Sequence, residues 1–251
     1  MNSRTKLFSA KRFQLVAPPV VVLSAMLFAA PSTVRADLIT VESSTAVTFL
    51  DSGSTTTDFP APFTPAQFAA AQTGPAAFAL TSTPFYIPAS DIPGATWIGT
   101  NANAGAVTGN TALYAISFNL PSAVSAASLT LTYAVDNALG DTNAGIYINE
   151  VALPNSTGIP CGPGVACGGA FGSVNTYTDP SIGSLLVSGS NTLYFDAVNL
   201  GGPAGLLFSA DITFTPSGPT TTPEPSSLLL LGAPLALIGI ALRKRFAGPV
   251  V

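Results

Sequence analysis

The distribution of charged side chains is the feature of this sequence that most restricts its folding and its chemistry. Every basic residue lies in a terminal segment, five of them before residue 36 and three after residue 242, and the chain contains no histidine. All twelve acidic residues lie between Asp37 and Glu224. The long central segment therefore cannot form an internal salt bridge, and each buried carboxylate must be hydrogen-bonded, protonated or bound to a metal.

The same distribution excludes several classes of function. Catalytic systems that pair serine or cysteine with histidine are impossible without histidine. A P-loop needs a lysine that the central segment lacks, and nucleic-acid binding needs cations that neutralise phosphates. We expect a protein that is not an enzyme. A glycoside hydrolase that uses two carboxylates is the enzymatic alternative that needs neither histidine nor lysine.

The N-terminal residues 1–36 are typical of a secretory signal peptide. Four basic residues precede an apolar run from Leu15 to Ala30, and small or compact side chains follow near residue 36. We predict that a signal peptidase cleaves the chain between Ala36 and Asp37. An uncleaved membrane anchor is the alternative, which the two prolines inside the short apolar run disfavour.

The C-terminus carries three features in a fixed order. A Thr/Pro-rich linker at 216–222 precedes Pro223-Glu224-Pro225. The uncharged run at 228–242 then predicts a single transmembrane helix of about 22 Å, which is short for a hydrocarbon core of about 30 Å. The basic stop Arg243-Lys244-Arg245 places the C-terminus in the cytoplasm, and 247–251 form a short tail.

This order of features resembles the PEP-CTERM sorting signal of Gram-negative bacteria, over 223–246. The matching parts are the Pro223-Glu224-Pro225 motif, the apolar run and the basic stop. The resemblance implies that an exosortase, a membrane transpeptidase, cuts the tail near the motif after an inner-membrane intermediate. It also implies delivery to the cell surface or the extracellular matrix, often beside exopolysaccharide. A simple tail anchor with a proline-rich stalk is the alternative.

The body of the chain, 37–215, shows the alternation of apolar and polar side chains that is typical of β-strands. The runs are Leu38–Leu50, Tyr114–Leu120, Ser128–Val135, Ile146–Ile148, Thr192–Val198 and Leu206–Phe214. Turn-forming residues separate these runs, so we predict an all-β domain, an antiparallel β-sandwich of the jelly-roll type. One helix is expected at Pro65–Gln72, with Thr64 as its N-cap.

The body also resembles the galactose-binding-like jelly-roll domains that are common in PEP-CTERM proteins. The likeness is carried by 95–99, by 133–137 with 145–149, and by 191–195 with 199–206. Such domains usually turn with Asn-Gly after the Ile-Tyr-Ile strand, whereas Asn149 is followed here by Glu150. Because glutamate disfavours positive φ, we expect a longer turn at this place.

Asp136, Asn137, Asp141 and Asn143 form the densest cluster of oxygen-bearing side chains. Two interpretations remain open. Asp and Asn side chains commonly stabilise turns through hydrogen bonds to nearby backbone. Alternatively the four residues bind Ca²⁺, which takes six to eight oxygen ligands, although their spacing is not that of an EF-hand. Calcium is the one cofactor that the sequence indicates.

Cys161 and Cys167 enclose a short loop rich in glycine. An even pair of cysteines in an exported protein predicts a disulfide. We expect the bridge to close a surface loop and to have no redox activity.

Two aromatic residues are candidates for ligand binding. Trp97 is the only tryptophan, and it either stacks on a sugar ring or belongs to the core. Tyr147 is expected to be exposed, because its two isoleucine neighbours take the opposite face of the strand.

We therefore predict an exported protein, sorted by an exosortase, whose non-catalytic β-sandwich associates with extracellular polysaccharide. A purely structural displayed protein is the alternative. The body is anionic, so it will repel acidic polymers unless divalent cations bridge the two.

Overall fold

The computed structural model describes residues 35–81, 83–165 and 170–217, together with Leu235. The chain divides into two units, Met1–Ser32 and Thr33–Val251, and every described residue belongs to the second. The predicted signal peptide up to residue 34, the linker beyond residue 217 and the sorting tail, Leu235 excepted, lie outside the described residues. Within the described ranges, no helix combines the length and the apolar character that a membrane span requires.

The described residues form twelve β-strands and one α-helix. The strands are β1 (Asp37–Glu42), β2 (Thr48–Asp51), β3 (Phe78–Ala79), β4 (Ile98–Gly99), β5 (Ala112–Leu120), β6 (Val124–Asp136), β7 (Ala138–Leu139), β8 (Ile146–Ile148), β9 (Val151–Ala152), β10 (Asn175–Asp179), β11 (Gly189–Val198) and β12 (Gly205–Pro216). The α-helix, α1, spans Pro65–Thr73, and short 3₁₀ helices lie at Ala89–Asp91, Ala170–Gly172 and Ile182–Leu185.

The strands form two antiparallel sheets, as the alternation predicted. Sheet A has the order β10-β6-β12-β4-β3, and β1 also pairs with β12. Sheet B has the order β2-β5-β11-β8-β9, and β7 also pairs with β11. The prediction of a mostly β domain with antiparallel sheets is confirmed.

The N-terminal run predicted as one strand over Leu38–Leu50 is divided between the two sheets. β1 pairs with β12 in sheet A, and β2 pairs with β5 in sheet B. The chain leaves sheet A at Ser43, whose backbone N–H donates to the Phe208 carbonyl at 2.9 Å, while its hydroxyl accepts from the Phe208 N–H at 3.0 Å. Three polar residues, Ser43, Ser44 and Thr45, lie at the crossing, and the prediction of one continuous strand across them was wrong.

The turn after β8 is also shorter than expected. Asn149 and Glu150 alone join β8 to β9, with φ values of 49° and 69°. The Asn149 side chain accepts from the Thr192 N–H at 2.9 Å and donates to the Leu185 carbonyl at 2.8 Å. These long-range bonds hold the turn in a conformation that glutamate by itself disfavours.

The helix agrees closely with the prediction. It begins at Pro65 and ends at Thr73, one residue beyond the predicted end. The backbone N–H of Thr64 donates to Oε1 of Gln67 at 2.9 Å, which satisfies a donor at the helix N-terminus. Proline at the first helical position costs no hydrogen bond there.

The main core lies between the two sheets. Phe195 of β11 and Phe208 of β12 are both fully buried, and their ring centroids are 4.3 Å apart. This contact joins the central strands of the two sheets.

The outer face of each sheet is covered as well. On sheet B, α1 and the segment before it cover a cluster that includes Phe63, Phe68 and Tyr194. On sheet A, the segment between β3 and β4 covers a cluster that includes Tyr86 and Trp97.

Replacement of Phe208 by alanine tests the contact between the sheets. We expect Phe208→Ala to lower the free energy of unfolding by about 3–5 kcal/mol, because it removes a fully buried ring and leaves a cavity. Urea unfolding followed by circular dichroism measures the change. Val187→Ala, at a position that is 54% exposed, is the control, for which we expect a change within about 0.5 kcal/mol. Equal effects of the two substitutions would contradict this account of the core.

Candidate functional site

Two of the four predicted calcium ligands are engaged by neutral protein donors. Asp136 ends β6 and is 4% exposed, and its Oδ2 accepts from the Tyr86 hydroxyl at 3.0 Å. Burial raises the pKa of Asp136 to about 6, and the bond from Tyr86 offsets only part of that rise. Oδ1 of Asn137 accepts from the Leu200 N–H at 2.8 Å. Both side chains thus stabilise the connections around them.

The other two predicted ligands lie on a tight loop between β7 and β8. The N–H of Gly140 donates to the Asp196 carbonyl at 2.8 Å, and the Asp196 N–H donates to the Gly145 carbonyl at 2.9 Å. Gly140 has φ +68°, and a Cβ there would lie 2.5 Å from the Asn143 carbonyl oxygen, so the loop requires glycine. The loop carries Asp141 and Asn143 over β11.

Asp58 joins this loop to the segment that precedes α1. Its Oδ2 accepts from the N–H of Thr142 at 2.8 Å, from the Thr142 hydroxyl at 3.0 Å and from the Asn143 N–H at 3.1 Å. The Asn143 amide also donates to the Phe59 carbonyl at 3.0 Å. Thr142 and Asn143 donate five hydrogen bonds to Asp58 and Phe59, and the Phe59 N–H donates a sixth to Oδ1 of Asp58 at 2.6 Å.

Asp196 lies beneath these two segments, on the outer face of β11. It is 0% exposed, and neither of its carboxylate oxygens accepts a hydrogen bond from a protein donor among the described residues. Burial raises its pKa well above the usual value, and the charge of Asp58, a hydrogen bond from protonated Asp196 to Asp58, and the charge of Asp141 raise it further. Oδ1 of Asn143, a side chain that is 3% exposed, has no partner either. We call Asp58, Asp141, Asn143 and Asp196 the Asp196 cluster.

The structure thus separates the predicted calcium ligands into two pairs. Asp136 and Asn137 bond to Tyr86 and Leu200, whereas Asp141 and Asn143 join two aspartates that sequence reasoning did not select. No three Asp, Glu, Cys or His side chains converge in a metal-binding arrangement within the described part of the chain. The sequence contained one indication that Asp196 is unusual. It is an acidic residue inside the predicted strand Thr192–Val198, in a body that has no basic residue to neutralise it.

Two adjoining clefts open over the Asp196 cluster. The first has a volume of about 510 Å³, and its lining includes Thr56, Asp58, Pro60, Asp141 and Leu200. The second has a volume of about 350 Å³, and its lining includes Phe63, Phe68, Asn143, Tyr147 and Glu150. Ala61 and Thr142 line both clefts. Together they present carboxylates, an amide and aromatic rings, a mixture that is typical of small-ligand sites.

The two aromatic candidates lie on the outer faces of different sheets. Tyr147 points outward as the alternation predicted, but it is only 6% exposed, because the segment before α1 and α1 itself cover it. Its ring makes an edge contact with Phe63, at 5.6 Å between centroids, and it still lines the second cleft. The predicted exposure of Tyr147 was therefore wrong, although the predicted face was right.

Trp97 belongs to the cluster on sheet A. It is 3% exposed, its ring centroid lies 4.3 Å from that of Tyr86, and its indole N–H donates to the Ile87 carbonyl at 2.9 Å. Of the two interpretations of this residue, the structure places it in the core. No face of the ring is open to a sugar.

The predicted disulfide lies at the edge of the described region. Cys161 is not a free cysteine, and Cys167 lies outside the described residues, so their pairing stays a prediction. The N–H of Gly164 in this loop donates to Oδ1 of Asp141, which ties the cysteine loop to the first cleft.

The C-terminus matches a known family model. Residues 221–245 match the model described as the PEP-CTERM protein-sorting motif. This match indicates export, a membrane-anchored intermediate and an exosortase as the processing enzyme. No curated protein matches the chain.

The domain is similar to two solved structures at low identity. One is a family 35 carbohydrate binding module from Clostridium thermocellum, with 14% identity and a TM-score of 0.35, covering 69% of this chain and 97% of that chain. The other is CBM35 from Paenibacillus barcinonensis, with 17% identity and a TM-score of 0.33, covering 71% of this chain and 99% of that chain.

The buried acid Asp136 predicts a specific pH dependence of stability. The pKa of Asp136 is about 6 in the folded protein, against 3.8 for an aspartate that is not buried. Between about pH 4 and pH 6 the folded state therefore binds more protons than the unfolded state. The free energy of unfolding therefore falls as the pH rises through this window. We expect Asp136→Asn, which keeps an acceptor for Tyr86, to remove that part of the fall, on the order of 2 kcal/mol.

Urea unfolding of the wild-type protein and of the variant at pH 4, 5, 6 and 7 measures the difference. Asp196 contributes in the same direction in both proteins, so the comparison isolates Asp136. Parallel pH profiles for the two proteins would contradict the assignment.

Proposed function

We propose that this protein is exported from a Gram-negative-type bacterium, processed by an exosortase at its C-terminal tail and displayed at the cell surface or in the extracellular matrix. There its β-sandwich associates with polysaccharide without catalysis. The match of residues 221–245 to the PEP-CTERM sorting motif carries the proposal. The geometry of the sandwich supports the second part of it.

The first cleft lies at the end of the sandwich where β12 begins, whereas the second runs along the outer face of sheet B beside the middle of β11. β12 starts at Gly205, beside the end of β6, and runs to Pro216, after which the linker to the sorting motif begins. At about 3.3 Å per residue, twelve residues separate its two ends by more than about 30 Å. β1 begins at Asp37, opposite Phe214, so the predicted mature N-terminus lies at the tail end too.

Leu200, in the connection that enters β12, lines the first cleft at the far end. A protein held by its tail therefore presents the first cleft outward. This polarity suits a displayed binding domain.

The chemistry of the clefts favours sugar hydroxyls as ligands. Carboxylates and amide oxygens accept hydrogen bonds from hydroxyl groups, and no cation competes for them in the body of the chain. Glu150 is exposed at the rim of the second cleft and lies beside Phe63 and Tyr147. Catalysis is disfavoured at the first cleft, because both oxygens of Asp58 already accept hydrogen bonds from neutral donors.

Replacement of the sorting motif tests the first part of the proposal. We expect replacement of Pro223-Glu224-Pro225 by three alanines to leave the precursor uncleaved and in the membrane fraction of the producing cell. Immunoblotting of cell fractions measures the size and location of the product. The control is the double alanine variant at Pro219 and Thr220, outside the matched residues. Normal processing of the motif variant would contradict the proposed route.

Glu150→Gln tests the sugar-binding part. Loss of a charged acceptor at the cleft is expected to weaken binding to the extracellular polysaccharide of the producing cell by about tenfold. Co-sedimentation of the full chain in mild detergent with the purified polysaccharide measures the affinity. Glu42→Gln, on β1 and outside both clefts, is the matched control. Equal binding by both variants would exclude the second cleft as the binding site.

A further inference from the structure

Asp196 differs from the other buried aspartates of the body, Asp136 and Asp179, because no protein donor among the described residues bonds to its side chain. Each of the following accepts at least one hydrogen bond from a neutral group: Asp51, Asp58, Asp136, Asp141, Asp179 and Asp211. Asp196 is fully buried, and neither of its oxygens accepts a hydrogen bond from a protein donor among the described residues. Burial of a carboxylate without a compensating group costs much free energy, so Asp196 needs a proton or a cation.

A single proton compensates this arrangement only in part. Protonation of Asp196 would supply one donor, which the neighbouring Asp58 carboxylate could accept. The second oxygen of Asp196 and Oδ1 of Asn143 would still lack partners, because one O–H makes one hydrogen bond. Three buried acceptor atoms beside a second carboxylate need a positive charge that several oxygens share.

The surroundings of Asp196 supply oxygens of the kinds that calcium prefers. Ca²⁺ accepts carboxylate, amide and carbonyl oxygens together with water, and it does not require three carboxylates. Oδ1 of Asp58 accepts a single hydrogen bond, from the Phe59 N–H, so it retains an unused lone pair. Asn143 is fixed beside Asp58 through both its backbone N–H and its side-chain amide.

We propose that the Asp196 cluster binds one Ca²⁺ ion, with the carboxylates of Asp58 and Asp196 and Oδ1 of Asn143 as ligands and water completing the shell. Asp141, at the rim of the first cleft, adds negative charge to the site. Of the ligands predicted from the sequence, this set keeps Asn143 alone, and it adds Asp58 and Asp196 from two distant segments. The ion would hold the loop between β7 and β8, the segment before α1 and β11 together. The site does not rest on polysaccharide binding.

Terbium luminescence tests this proposal directly. Tb³⁺ occupies calcium sites and emits when a nearby tyrosine is excited. Tyr147 lies close to the site, because it pairs with Tyr194, two residues before Asp196 on β11, and lines the second cleft together with Asn143. We expect the full chain, in mild detergent at pH 7, to sensitise Tb³⁺ emission that millimolar Ca²⁺ displaces and equimolar Mg²⁺ does not. Tyr147→Phe should lose most of the emission.

Thermal unfolding of the same preparations identifies the ligands. At a calcium concentration about a hundredfold above the dissociation constant, the midpoint should lie about 5–10 °C above that in EDTA. We expect this shift in the wild type, in Tyr147→Phe and in Asp136→Asn, and its loss in Asp196→Asn and Asp58→Asn. Asp136→Asn is the matched control, because it alters a buried aspartate of the competing ligand set.

Two results would overturn the proposal. One is a wild-type midpoint that does not respond to Ca²⁺ together with unsensitised Tb³⁺, which would leave a proton as the partner of Asp196. The other is a calcium shift that Asp136→Asn abolishes and Asp58→Asn retains, which would restore the first ligand set. Asp58 is half-buried, so its variant remains informative if Asp196→Asn does not fold.

Discussion

The absence of any cation between residues 36 and 242 is the constraint on which the arrangement of polar groups depends. Carboxylates inside the sandwich cannot be neutralised by lysine or arginine, so neutral donors hold them in place. The Tyr86 hydroxyl bonds Asp136, and Ser181 bonds Asp179. Each of these bonds joins or ends an element, so the acids serve as junctions between segments. Asp196 is the exception, and it lies at the base of the clefts.

The sheets concentrate these junctions at one end of the domain. β6 and β11 end there, β7 and β12 begin there, and the loops that follow β7 and β11 carry Asp141, Asn143 and Leu200. The other end holds the start of β1 and the end of β12. The first cleft therefore lies opposite the start of β1 and the end of β12, a polarity that suits a domain released or displayed by its tail. The buried contact between Phe195 and Phe208 packs the central strands of the two sheets against each other.

The sequence predicted the local elements well and their partners poorly. The alternation located β5, β6, β11 and β12, and Thr64 with Pro65 located the start of α1. Alternation reports which face a side chain takes, and Tyr147 does point outward from sheet B. It does not report what covers that face, so the burial of Tyr147 beneath Phe63 and Phe68 was not predicted. The division of Leu38–Leu50 between two sheets was missed for the same reason.

The sequence by itself determined the class of the fold, the charge of the body and the sorting of the chain, because alternation, composition and the terminal motif are local properties. The tertiary structure decided which oxygens meet. Asp58 and Asp196 are 138 residues apart in the chain, and only the pairing of β11 with the loop after β7 brings the second beneath the first. Asp136 and Asp141 are close in sequence and were therefore predicted to share a site. In the fold they accept hydrogen bonds from different residues, Tyr86 and Gly164. A site built from distant segments depends on that pairing, which no short stretch of sequence specifies.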